Sequence, residues 1–89
     1  MKIVFDRSFE KWLKLISDRT LLERIDESII SIEQTSDLFR LASVKKLKGY
    51  KTYFRIRIGD YRLGFELEQD GVVRIILIAH RKEIYKYFP

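Results

Sequence analysis

Arg55, Arg57 and Arg62 are spaced to hold one anion between them. They lie in the segment from Gly49 to Phe65, which reads Gly-Tyr-Lys-Thr-Tyr-Phe-Arg-Ile-Arg-Ile-Gly-Asp-Tyr-Arg-Leu-Gly-Phe. Gly59-Asp60 is a two-residue hairpin turn with glycine first, the arrangement a type II′ turn prefers. Strands closing on that turn set Ile58 against Tyr61, Arg57 against Arg62, Ile56 against Leu63 and Arg55 against Gly64. Side chains alternate along a strand, so Phe54, Ile56, Ile58, Tyr61, Leu63 and Phe65 form an apolar face. The three arginines share the other face, around a position with no side chain. Like charges directly opposite each other destabilise a hairpin. Arg57 against Arg62 therefore predicts an anion bound between them, and the planar guanidinium fork suits a phosphate.

A second set of groups follows near the far end of the chain, in Ile78-Ala79-His80-Arg81-Lys82-Glu83-Ile84-Tyr85. His80 is the sole histidine. A lone histidine is more often structural than catalytic, but positive neighbours disfavour the imidazolium and leave an imidazole able to accept a proton. Cations on a phosphate, a proton acceptor and a proton donor suit metal-independent RNA cleavage by the ribose 2′-hydroxyl. Arginine stays charged and cannot be the acceptor. His80 or Glu66 is left for that part, with Tyr85 as a candidate donor. Glu66, diagonal to Arg55, reads better as a clamp on that arginine. Whether His80 or Arg81 joins the arginine face depends on the length of the Asp70-Gly71 turn, because a one-residue slip exchanges the faces.

The elements that must position these groups are legible in outline. Ile3-Val4-Phe5 reads as a first strand. Asp6 or Ser8 caps a helix with Phe9, Trp12, Leu13 and Ile16 on one stripe. Thr20-Leu21-Leu22-Glu23 has the capping-box form and predicts the start of a second helix, striped by Leu22, Ile25, Ile29 and Ile32. Ser43 to Lys48 is a candidate strand, followed by the hairpin, and Asp70-Gly71 marks a second tight turn. Val72 to Ala79, almost continuously apolar, suits a strand buried on both faces. Ile84, Tyr85 and Phe88 predict a short terminal helix. The order β-α-α-β-β-β-β-α implies an α+β domain spanning residues 1–89, with an antiparallel sheet packed on an N-terminal helical hairpin.

Charge is unevenly placed. The chain has 89 residues and a formal net charge of +5. Residues 1–39 carry six Lys/Arg against eight Asp/Glu, whereas residues 40–62 carry eight Lys/Arg against Asp60 alone. That concentration on the hairpin is the footprint expected for a polyanion partner, and Lys48 and Lys51 join the arginines as candidate RNA contacts. The chain has no cysteine, so a disulfide or cysteine-ligated zinc is excluded. Neither a cofactor nor a metal is expected. No signal-like N-terminus or membrane-length apolar run is present, which fits a cytoplasmic protein without membrane contact.

Four blocks together resemble the RelE/ParE toxin superfamily on its RelE side: Leu47-Lys48-Gly49, Tyr53-Phe54-Arg55-Ile56-Arg57, Gly59-Asp60-Tyr61-Arg62-Leu63 and His80-Arg81-Lys82-Glu83-Ile84-Tyr85. The match spans essentially the whole chain. The resemblance implies a toxin of a type II toxin–antitoxin system, a ribosome-dependent endoribonuclease that cuts messenger RNA in the A site. It also implies a cognate antitoxin as partner. Arg55, Arg57, Arg62, Arg81 and Tyr85 fall where that family has functional residues. In the best-studied members the positions of Arg55 and Arg57 are lysines, the second a proposed general base; arginine cannot take that role, which makes His80 the stronger candidate. Two other readings are a ParE-like inhibitor of DNA gyrase and a non-catalytic RNA-binding domain.

Overall fold

The computed structural model describes residues 1–89. In chain order the elements are β1 (Lys2–Phe5), α1 (Arg7–Leu13), α2 (Arg19–Gln34), β2 (Val44–Lys46), β3 (Tyr53–Ile58), β4 (Tyr61–Leu67), β5 (Val72–His80) and α3 (Ile84–Tyr87). The fold is α+β, with a five-stranded sheet ordered β1-β5-β4-β3-β2. β2 to β5 pair antiparallel, as their short connections require. β1 instead runs parallel to β5, so the sheet is mixed where an all-antiparallel one was expected. Two helices separate β1 from the rest of the sheet, which frees its direction from any hairpin.

Asp6 caps α1, accepting a hydrogen bond from the Ser8 amide. The second helix starts earlier than the capping-box sequence suggested. Asp18 is its N-cap and accepts from the amides of Thr20 at 2.9 Å and Leu21 at 3.3 Å. A carboxylate at that position satisfies two of the amides a helix leaves unpaired, so Thr20 lies inside the helix.

Both helices cover one face of the sheet. Phe9, Leu21, Ile25 and Ile32 from the helices join Phe54, Ile56, Ile58, Leu63, Phe65, Val73, Ile75 and Ile78 in the main core. The opposite face has a smaller cluster, in which Leu47, Leu77, Ala79, Ile84 and Phe88 pack together. β5 contributes to both clusters, which explains its continuous apolar run. The rest of that second face is open, and it carries the arginines.

Candidate functional site: a cationic sheet face

The hairpin closes in the register its sequence predicts. Ile58 pairs with Tyr61, Arg57 with Arg62, Ile56 with Leu63 and Arg55 with Gly64. Gly59 has φ of +59° and Asp60 does not share that sign, consistent with a type II′ turn. Arg62 is held by the turn it follows: its Nη1 donates to the carbonyls of Gly59 and Tyr61, each at 2.8 Å. The guanidinium is thereby fixed beside Arg57 rather than left to swing in solvent.

Two one-residue events decide what β5 adds. The β4–β5 connection is a three-residue loop, Gln69–Gly71, with Leu67 paired to Val73. Continued without interruption, that register would place His80 on the arginine face. A β-bulge intervenes: Gly64 pairs with Leu77 but Phe65 with Ile75, leaving Ile76 as the extra residue. Beyond the bulge Arg62 pairs with Ala79 and Tyr61 with His80. Arg81, two residues past Ala79, therefore continues on the arginine face. Its amide donates to the Asp60 carbonyl at 2.7 Å.

His80 lies on the other face. Its ring packs edge-on against Tyr61 at 5.5 Å, and its Nδ1 accepts from the Lys82 amide at 3.1 Å. The structure does not bring it to the arginines, so its expected part as proton acceptor loses its geometric basis. Glu66 is no clamp on Arg55 either; its Oε2 accepts from the Thr52 hydroxyl at 3.0 Å.

The cations that do meet are Arg55, Arg57, Arg62 and Arg81. Arg55, Arg57 and Arg62 have no carboxylate within salt-bridge distance, and Arg81 has only Asp60, at 3.8 Å and well exposed. Burial, followed by the charges of Arg55, Arg57 and Arg81, holds the Arg62 guanidinium below its ordinary pKa, while nearby Tyr85 acts the other way. The charges of Arg55, Arg57 and Arg81 all reach Arg62, and of the four only Arg81 has a carboxylate beside it. Like charges at this range repel one another.

α3 brings Tyr85 to this cluster. The Arg55 Nε donates to the Tyr85 hydroxyl at 3.3 Å, and that hydroxyl keeps its own proton free to donate. Beside this pair lies a groove of about 510 Å³ lined by Lys45, Lys46, Lys48, Tyr50, Arg55 and Tyr85, with Leu47 and Phe88 also in its wall. Lys48 is brought to the site as expected. Lys51 is exposed on the β2–β3 loop and does not line the groove. Lys45, Lys46 and Tyr50 were missed by residue-level reasoning. Their signal was the basic run 45–48 itself, whose strand periodicity is too short to show a face.

Comparisons with known proteins show the family and the fold. The family model for the ParE toxin of the type II toxin–antitoxin system parDE matches residues 3–85. Toxin RelE3 of Methanocaldococcus jannaschii is 39% identical over 90 residues, covering 100% of both chains. Among solved structures, a RelB–RelE antitoxin–toxin complex from Methanococcus jannaschii is similar, with a TM-score of 0.80 and 35% identity over 97% of this chain and 99% of that one. An archaeal RelE–RelB complex from Pyrococcus horikoshii OT3 has a TM-score of 0.74 at 22% identity, covering 93% of this chain and 97% of its own. The intact RelBE toxin–antitoxin complex of E. coli has a TM-score of 0.68 at 22% identity, covering 89% and 94%. The last two speak for the fold alone.

Proposed function

The chain belongs to the RelE/ParE toxin superfamily and is a type II toxin of the RelE family, and from that premise we propose that it arrests translation by cutting messenger RNA in the ribosomal A site. The observation that carries this reading is the gathering of Arg55, Arg57, Arg62 and Arg81 on one sheet face, largely without carboxylate partners, with the Tyr85 hydroxyl beside Arg55.

In this reading the scissile phosphate lies over Arg62 and Arg81. The ribose 2′-oxygen attacks phosphorus, the bond to the 5′-oxygen breaks, and a 2′,3′-cyclic phosphate remains. The four guanidinium groups take up the negative charge that grows on the phosphate oxygens. Held in advance by Arg62's bonds to the turn carbonyls, such donors need not reorganise during reaction. Tyr85 protonates the departing 5′-oxygen. The carboxylates near Arg62 are engaged, Asp60 toward Arg81 and Glu66 by the Thr52 hydroxyl, and the imidazole lies on the far face, so in this reading the 2′-proton passes to the ribosome-bound substrate or to water. Naked RNA is accordingly a poor substrate. Lys45, Lys46 and Lys48 follow the neighbouring backbone, and Tyr50 offers a ring for a base to stack on.

The same reading makes the partner an acidic antitoxin. Relatives of this chain are solved as complexes with RelB. An acidic segment crossing β2 and β3 would neutralise the cations that RNA needs.

The parDE family model favours a second reading, a toxin directed at DNA gyrase. The His80-Arg81-Lys82-Glu83-Ile84-Tyr85 block and the Tyr85–Arg55 contact argue for the first. Induction without antitoxin, followed by primer extension on ribosome-bound messages, separates them. New message ends at the A-site codon are expected. Intact messages with continued methionine incorporation, together with loss of supercoiling activity, would establish the gyrase reading instead.

A further inference from the structure

Gly64 does more than leave space on the arginine face. A Cβ built there would stand 2.6 Å from Leu77 Cδ2 and 2.9 Å from two ring atoms of Phe88, Cδ2 and Cε2. Contacts that short are not tolerated, so the missing side chain is the slot in which the Phe88 ring sits. Phe88 is 3% exposed, and its ring meets Tyr53 edge-on at 5.5 Å.

The segment it secures is weak by itself. α3 has four residues, and its N-cap Glu83 makes no side-chain capping bond. One turn of helix has no stability of its own in water. Its orientation comes from its anchors, Ile84 and Phe88, four residues apart and both buried in the smaller cluster. Tyr87 adds an edge contact with Trp12 at 5.0 Å. Tyr85 lies between the anchors and is 64% exposed, so almost nothing else determines where its hydroxyl stands.

We propose that Phe88, seated in the Gly64 slot, is a positioning residue that holds the Tyr85 hydroxyl against Arg55 and so completes the phosphate-cleaving cluster. Resting on the nuclease reading, it makes the chemistry depend on a buried residue that carries no charge and has no proton to give. Without Phe88 the turn keeps Ile84 and the Tyr87–Trp12 edge contact, neither of which fills the Gly64 slot. Two anchors fix the turn, and a catalytic group displaced by about 1 Å can lose about 10²-fold in rate.

The test combines cleavage of ribosome-bound message with side-chain NMR on the whole chain. Phe88→Ala is expected to lower the rate at saturating ribosome complex by about 10- to 100-fold, with the half-saturating concentration nearly unchanged because the lysines and arginines remain. Phe88→Leu, which refills the slot, is expected to recover most of the rate. Adding Tyr85→Phe to Phe88→Ala should cost little more, since both changes remove one contribution. The Tyr85 ring to Arg55 nuclear Overhauser contacts should vanish in Phe88→Ala while those between β3 and β4 persist. Should Phe88→Ala fail to fold, Gly64→Ala approaches the slot from the other side, its methyl crowding the ring and Leu77 together, with the β3–β4 contacts reporting that the sheet is kept. Retained Tyr85–Arg55 contacts in the slot variants, fully additive losses, or undiminished cleavage would overturn the proposal. A wild-type chain that cleaves no message refutes the nuclease reading, and the NMR contacts then still decide whether Phe88 places Tyr85.

Discussion

Arg74 and Arg62 occupy the same face of the same two-stranded segment, at opposite ends, and they are treated in opposite ways. Arg74 donates through Nε to Glu68 at 2.9 Å and lies 4.0 Å from Asp6. Its hydrogen bond and charge contact with Glu68 raise its pKa. Arg62 has no carboxylate; burial and three neighbouring arginines lower its pKa. Arg74 shows that this fold can neutralise a sheet arginine, with Glu68 from the preceding loop and Asp6 from the N-terminal segment. The Arg62 end does not, although Asp60 and Glu66 are both nearby. Asp60 turns toward Arg81, and Glu66 is taken by Thr52. One end of the face is neutralised by folding, while the other keeps its charge for the phosphate that the proposed function places there.

The sharpest break in that comparison is Arg62→Ala. Loss of one preorganised donor of this kind costs about 10²–10³ in rate, or roughly 3–4 kcal/mol of barrier. Cleavage of ribosome-bound message should fall by that factor, and Arg81→Ala should follow it in direction. The melting temperature should hold, because relief of repulsion against Arg57 offsets the lost bonds to Gly59 and Tyr61. Arg62→Lys keeps the charge but not the fork, so it should recover only part of the rate. At the Arg74 end the pattern inverts: Arg74→Ala should leave cleavage within about threefold of wild type and lower the melting temperature slightly, as for an exposed pair.

A smaller effect tests the repulsion directly. Arg57→Gln removes one of two like charges paired across the hairpin, which should raise stability by about 0.2–1 kcal/mol in urea unfolding while weakening message cleavage. Stability that falls instead would mean the arginines are already compensated without RNA.

Asp6 carries a pH signature at the Arg74 end. The Ser8 hydroxyl first, then the Ser8 amide, lower its pKa; burial opposes them, and Arg74 helps. A carboxylate depressed on folding adds stability above its unfolded pKa, and that stability is lost as pH falls through the folded value. The melting-temperature gap between wild type and Asp6→Asn should therefore be open at neutral pH and close as pH falls below the ordinary carboxylate range.

The smallest expected effect is at His80. Its ring faces Tyr61 on the far side of the sheet, so His80→Ala should change the cleavage rate less than about threefold, well short of the 10²–10⁴ of a true general base. A large, pH-dependent loss would show that imidazole reaches the arginine face during turnover.

The sequence by itself determined the hairpin, its register, and the grouping of Arg55, Arg57 and Arg62. A strand alternates with period two and a Gly-Asp turn leaves one way to close, so both faces follow from residue order alone. The short C-terminal turn was legible from its apolar spacing, and the family from motif blocks that name Arg81 and Tyr85. Only the tertiary structure decided between His80 and Arg81. That choice rests on a three-residue loop and a bulge at Ile76, each a one-residue event that reverses every face beyond it. Neither leaves a periodic signal, because β5 is apolar on both sides. The parallel pairing of β1 was hidden for a related reason: no turn links it to β5. Gly64 could be read only as an empty position until the fold brought Phe88 into it from twenty-four residues away, because a slot is defined by what packs there and not by the residue that leaves it open.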